Sequence, residues 1–156
     1  WFLCQRERVD EAIKHFFEAL KNPLYTTPEK SYLNAGLCIL KKYDEQGATE
    51  FFLKAFKLRP HQPQAAYYLG ELAYKRKDYA EAKRYLTSMR QAAPASIEAL
   101  WLGVRVERKL ENRDAEASYG QQLRRNFPNS PEAQALRNGN YEFNEWLKDY
   151  GQKVVK

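Results

Sequence analysis

Few side chains in this sequence could carry chemistry. His15 and His61 are the only histidines, and neither has a partner at metal-ligand or catalytic spacing. There is no glycine-rich phosphate loop, no serine in a nucleophile turn and no paired acids in a glycine-flanked context. The expectation is therefore a protein that is not an enzyme and takes no cofactor, metal or small-molecule substrate. Cys4 and Cys38 are the only cysteines. They could bridge in an oxidising compartment or serve as two small core residues in a reducing one, and the residues alone leave both readings open.

The elements that position these groups are read from a period. Gly36, Gly70 and Gly103 are separated by 34 and 33 residues, Ala48, Ala82 and Ala115 likewise, and Pro60, Pro94 and Pro128 by 34 and 34. Within one unit a small residue, a second small residue twelve positions on, a large apolar residue and a closing proline describe two helices packed antiparallel. Small residues let the helices approach, Leu86 fills the space beside them, and Pro94 lacks the N–H that would continue a helix. Asp78 is placed to cap the second helix of the central unit. Such a pair cannot bury its apolar face alone and must stack on the next. The fold class expected is all-α, a tetratricopeptide-repeat solenoid with extra C-terminal helices.

The units read as a half repeat over 1–22, full repeats over 29–60, 63–94 and 95–128, and C-terminal helices over 131–156. In the last full repeat Ala115 lies thirteen residues before Pro128, where the earlier units have twelve, and a loop residue is expected to absorb the slip. Ser130, Pro131 and Glu132 form a helix start, and Asn138, Gly139 and Asn140 a stop. Phe143, Trp146, Leu147, Tyr150 and Val154 recur at helical spacing, so 141–156 is expected to be an amphipathic helix that caps the last repeat. Trp1 is not an initiator methionine and falls within a helix pattern, so the chain is expected to be part of a longer protein.

With 44% hydrophobic and 14% aromatic residues the chain is globular, and no apolar run approaches the length of a membrane span. The formal charge of +6 favours acidic partners, but the basic residues are dispersed and fall at helix ends, without the stripe that nucleic-acid binding requires. Solenoids of this type present their first helices along a concave face. That face should carry Tyr67, Glu71, Tyr74 and Lys75, flanked by Leu33 and Leu37 on one side and by Trp101, Val104 and Arg108 on the other. Aromatic residues with a few charges suit capture of a peptide or helix.

Four stretches go beyond a generic repeat: Phe2 to Arg6 with Val9 to Ala12; Asn22 to Pro28 leading to Asn34 to Cys38; Glu98 to Arg108 with Asp114 and Ala115; and Leu123 to Ala133. Together they resemble the type IV pilus biogenesis lipoproteins of the PilF and PilW kind, which act as pilotins. The resemblance covers Phe2 to about Leu136 and implies a protein held by an N-terminal lipid at the periplasmic face of a bacterial outer membrane, where it assists secretin assembly. It implies that this chain is roughly the C-terminal two-thirds of such a protein, and that a membrane is met only through an anchor outside these residues, since neither Cys4 nor Cys38 sits in a lipobox. The family carries cysteines at both positions, and a periplasmic setting points to a disulfide between Cys4 and Cys38. It carries no catalytic residues. Three alternatives differ in partner: a generic repeat adaptor for another protein or peptide, a clamp for acidic C-terminal tails, in which Leu33 and Leu37 would replace the usual polar residues, and an RNA-binding scaffold using the positive charge.

Overall fold

The computed structural model describes residues 28–41, 44–60, 62–94 and 96–144, together with Lys14, Glu18 and Lys21. His15, His61, Cys4, the rest of the half repeat and residues 145–156 lie outside the described residues. Seven helices follow one another among these residues: α1 (Pro28–Lys41), α2 (Glu45–Leu58), α3 (Pro63–Lys75), α4 (Tyr79–Ala92), α5 (Ile97–Lys109), α6 (Arg113–Asn126) and α7 (Pro131–Arg137). α1 packs on α2, α3 on α4 and α5 on α6, and each pair stacks on the next. The chain is an all-α tetratricopeptide-repeat solenoid.

Capping residues set where the helices begin. The Gly47 amide donates to the Asp44 carboxylate at 2.9 Å and the Glu81 amide to the Asp78 carboxylate at 3.2 Å. Ser96 and Ser130 accept from the Ala99 and Ala133 amides at 3.2 and 3.0 Å. Each bond satisfies a backbone donor that has no partner within its helix. Lys77 and Glu111, just after α3 and α5, adopt left-handed backbone with φ of 67° and 62°, which turns the chain into the second helix of each pair.

The caps also correct the expected slip. α2, α4 and α6 begin 34 residues apart, and so do α3 and α5. No loop residue absorbs a change. Instead Gly103 and Ala115 both sit one position early within helices of unchanged bounds, so the close approach they make survives. A Cβ on Gly36 would meet the Phe52 ring at 2.6 Å, and a Cβ on Gly103 would meet the Tyr119 ring at 2.8 Å. Phe52 and Tyr119 lie the same distance along the chain from their glycines. At Gly70 the space is taken by Leu102 of the next repeat, whose Cδ2 would lie 2.8 Å from an added Cβ.

The core is a run of three apolar clusters. The first gathers Leu40, Phe52, Leu69 and Leu72, the second Leu86, Met89, Leu102 and Val106, and the third Leu100, Trp101, Val104 and Leu123. Half-buried aromatic side chains of the second helices join them: Phe56 and Tyr85 border the first two clusters, in edge-to-face contact at 5.7 Å, and Tyr119 borders the second and third. Cys38 is fully buried and disulfide-bonded.

After α7 the chain stops being helical. Asn138 caps the helix, Gly139 has φ of 69°, and residues 141–144 continue without helical structure. The amphipathic helix expected from Tyr141 therefore does not begin there; Tyr141 and Phe143 pack back against α5 and Asn144 reaches Tyr67 of α3 instead.

Candidate functional site

The face formed by α3 and α5 is organised around Arg105, which is 2% exposed. Its guanidinium donates both terminal nitrogens to the carboxylate of Glu71, itself 1% exposed, and its Nε to the Trp101 carbonyl at 3.3 Å. The planar fork matches the carboxylate geometry, so both charges are compensated where water cannot reach. Burial alone would lower the Arg105 pKa, but the Glu71 charge and its hydrogen bonds outweigh that and hold it above its ordinary value. The rings of Tyr74 and Trp101 lie 5.1 and 5.2 Å from the guanidinium carbon, so this cation also holds two aromatic side chains in place.

The segment after α7 completes the site. The indole Nε1 of Trp101 donates to the Phe143 carbonyl at 2.8 Å, and the Trp101 ring stacks on Tyr141 at 6.4 Å with 14° between planes. Arg108 lies 4.2 Å from the centre of the same Tyr141 ring. The Tyr67 hydroxyl donates to Asn144 Oδ1 at 3.4 Å. Burial raises the pKa of Tyr67 above its ordinary value, with the Glu71 charge adding to it, so this phenol is neutral and able to donate. A cavity of about 490 Å³ opens beside these contacts, with Tyr67, Tyr68, Glu98, Trp101 and Asn144 among its walls.

The side chains expected on the concave face divide accordingly. Tyr67, Glu71, Tyr74, Trp101 and Arg108 are brought together by Arg105 and Tyr141. Val104 is buried with Trp101 in the third cluster and presents no surface. Glu71, Tyr74 and Trp101 are also buried, so they shape the face rather than lie open on it. Lys75 reaches Glu45 at 2.8 Å, toward the preceding pair. Leu33 and Leu37 pack against the first cluster and are not part of this group. Sequence reasoning passed over Arg105, Tyr141, Phe143 and Asn144. Arg105 carried a signal, since it lies one repeat length after Glu71, so that opposite charges fall on equivalent stretches of α3 and α5.

No family model matches the chain. Comparison with known proteins gives 35% identity over 136 residues to the type IV pilus assembly protein PilF of Pseudomonas aeruginosa, covering 87% of this chain and 54% of that protein. The solved structure of Pseudomonas aeruginosa PilF superposes with a TM-score of 0.76 at 33% identity, over 88% of this chain and 62% of the other. The chain is a homologue of PilF. PilW, described as a widely conserved type IV pilus biogenesis factor, superposes with a TM-score of 0.74 at 30% identity, over 87% of this chain and 63% of PilW. MamA from Desulfovibrio magneticus, at 21% identity and a TM-score of 0.70, shares the fold. The chain thus spans 54% of the PilF sequence and 62% of its solved structure.

Proposed function

We propose that this chain is a non-enzymatic protein-binding scaffold in type IV pilus biogenesis, acting at the periplasmic face of the outer membrane to help the pilus secretin assemble there. The observation that carries the reading is the 35% identity to PilF over 136 residues, 87% of this chain. The face built by α3 and α5 supports it. Tyr67, Trp101 and Arg108 surround a non-helical stretch of polypeptide there, the kind of object a repeat scaffold takes from a partner. Affinity comes from aromatic contact, orientation from the Trp101 N–H and from charged groups such as Arg108. Lys75, Leu33 and Leu37 belong to the proposed partner surface as its continuation toward α1 and α2. A disulfide between Cys4 and Cys38 fits the same location, since the periplasm is oxidising.

Deleting the gene and fractionating the cell envelope tests the reading. The expected result is that the secretin disappears from the outer-membrane fraction and returns when the gene is restored. Unchanged secretin in that fraction would contradict the proposed role.

A further inference from the structure

The four residues that follow the α7 turn make contacts usually made by a bound peptide. Tyr141 is held between two side chains of α5, its ring stacked on Trp101 and covered by the Arg108 guanidinium at 4.2 Å. Two positions on, the Phe143 carbonyl takes the Trp101 N–H at 2.8 Å, a contact that reads backbone rather than side chain. The ring of Phe143 packs against the third cluster, and the Asn144 amide oxygen takes the Tyr67 hydroxyl from α3. The Trp101 side of these contacts is prearranged, because the Arg105 guanidinium, paired with Glu71, lies against Trp101 and Tyr74 from behind. Arg108 and Glu142, both exposed, place opposite charges at the rim.

From this geometry we infer that the α3 and α5 face is a recognition site for a non-helical, turn-forming protein segment with two aromatic residues separated by one acidic or polar residue, and that Tyr141 to Asn144 occupy it as a tethered stand-in. The turn of the stand-in is closed by the Phe143 amide, which donates to the Asn140 carbonyl at 3.3 Å. The inference rests on the proposed scaffold function for the identity of the partner, but not for the existence of the site. The tether has a quantitative consequence. A segment joined through a short turn competes at an effective concentration on the order of millimolar, so a partner segment must displace it and loses apparent affinity by the fraction of sites it fills. Residues 141–144 would then act as a specificity filter: only a partner that improves on the internal contacts enters.

A synthetic peptide with the sequence of residues 138–144, blocked at both ends and carrying a fluorophore, serves as the probe. It is titrated by fluorescence anisotropy against the full chain and against the full chain with Tyr141→Ala and Phe143→Ala, which remove both rings and loosen the hold of residues 141–144 on the site. The doubly substituted chain is expected to bind the peptide about tenfold more tightly than the unaltered chain, following the effective-concentration argument. Adding Trp101→Phe, which keeps a ring but removes the N–H, is expected to abolish the gain. If the double substitution lowers the melting temperature below the working range, Tyr141→Ala alone gives the same comparison with Phe143 still packed. Equal affinity in both chains, or no binding by a folded doubly substituted chain, overturns the inference. Peptide binding without any secretin binding would leave the site standing and remove the secretin as its partner. Secretin binding without the peptide response would do the reverse.

Discussion

Arg105 and Glu71 lie one repeat length apart and meet as a buried pair, the guanidinium donating to both carboxylate oxygens with neither side chain more than 2% exposed. The pair ties the first helix of one repeat to the first helix of the next on the face that carries Trp101 and Tyr74. Its cost is desolvation of two charges, which the two-bonded geometry offsets only while both partners are present. Glu71→Gln is therefore expected to lower stability by about 3 to 5 kcal/mol, since it leaves a buried cation without its counter-charge. Replacing both residues with apolar side chains of similar volume should restore most of that loss. Denaturant melts of the single and double variants measure this, and a single variant as stable as the parent would show that the pair is not what holds the two helices.

Tyr74 gives a pH prediction. Its hydroxyl is buried and has no hydrogen-bond partner among the described residues. Burial, aided by the Glu142 charge, pushes its pKa up to about 12 from an ordinary 10.0. Between those values the unfolded chain has released the proton and the folded chain has not, so its contribution to stability is intact below pH 10 and is lost as pH rises toward 12. The melting temperature should fall over that interval, and less steeply in Tyr74→Phe. At pH 7 the same substitution should leave stability unchanged or raise it by up to about 1 kcal/mol, because it removes an unpaired buried group. A loss at pH 7 would mean that the hydroxyl has a partner.

Two glycines should respond oppositely to alanine. At Gly103 the added Cβ would lie 2.8 to 3.0 Å from three atoms of the Tyr119 ring, close to where that side chain leaves its helix, so the two helices must separate. The expected cost is about 1 to 3 kcal/mol. At Gly120 the nearest atom is Leu136 Cδ2 at 3.4 Å, near ordinary contact, and the helix gains roughly 0.5 to 1 kcal/mol of propensity. Thermal melts of the two variants should move in opposite directions.

Cys38 is 0% exposed and disulfide-bonded. Alkylation in denaturant should leave it unmodified until a reductant is added, as read by peptide mass. Modification without reductant would show a free thiol.

The repeat pattern was legible because steric demands recur along the solenoid. A glycine facing Phe52 and a glycine facing Tyr119 are needed for the same close approach, and Asp44 and Asp78 cap at matching positions. The one-residue displacement of Gly103 was legible, but its cause was not. Moving glycine and ring together preserves the contact, and only the helix ends distinguish that from a longer loop. The site was legible in part. Tyr67, Trp101 and Arg108 follow from their places on first helices, whereas the depth of Glu71 depends on Arg105, whose partner lies 34 residues away. The path of Tyr141 to Asn144 was not legible, since apolar spacing over 141–156 suits a helix, and what overrides it locally is contact with Trp101, far away in sequence.

Partner binding by the α3 and α5 face is tested most directly by calorimetric titration of the secretin from the same organism into the purified chain, alongside Arg108→Glu. Arg108 is exposed, so reversing its charge should lower the melting temperature only slightly, through the loss of its contact with the Tyr141 ring. The expected result is saturable binding by the parent chain and affinity weakened at least about tenfold in the variant, as for loss of a rim charge and its contact with an aromatic ring. Equal affinity in the two chains, or no binding by the folded parent, would contradict the assignment of this face to the secretin.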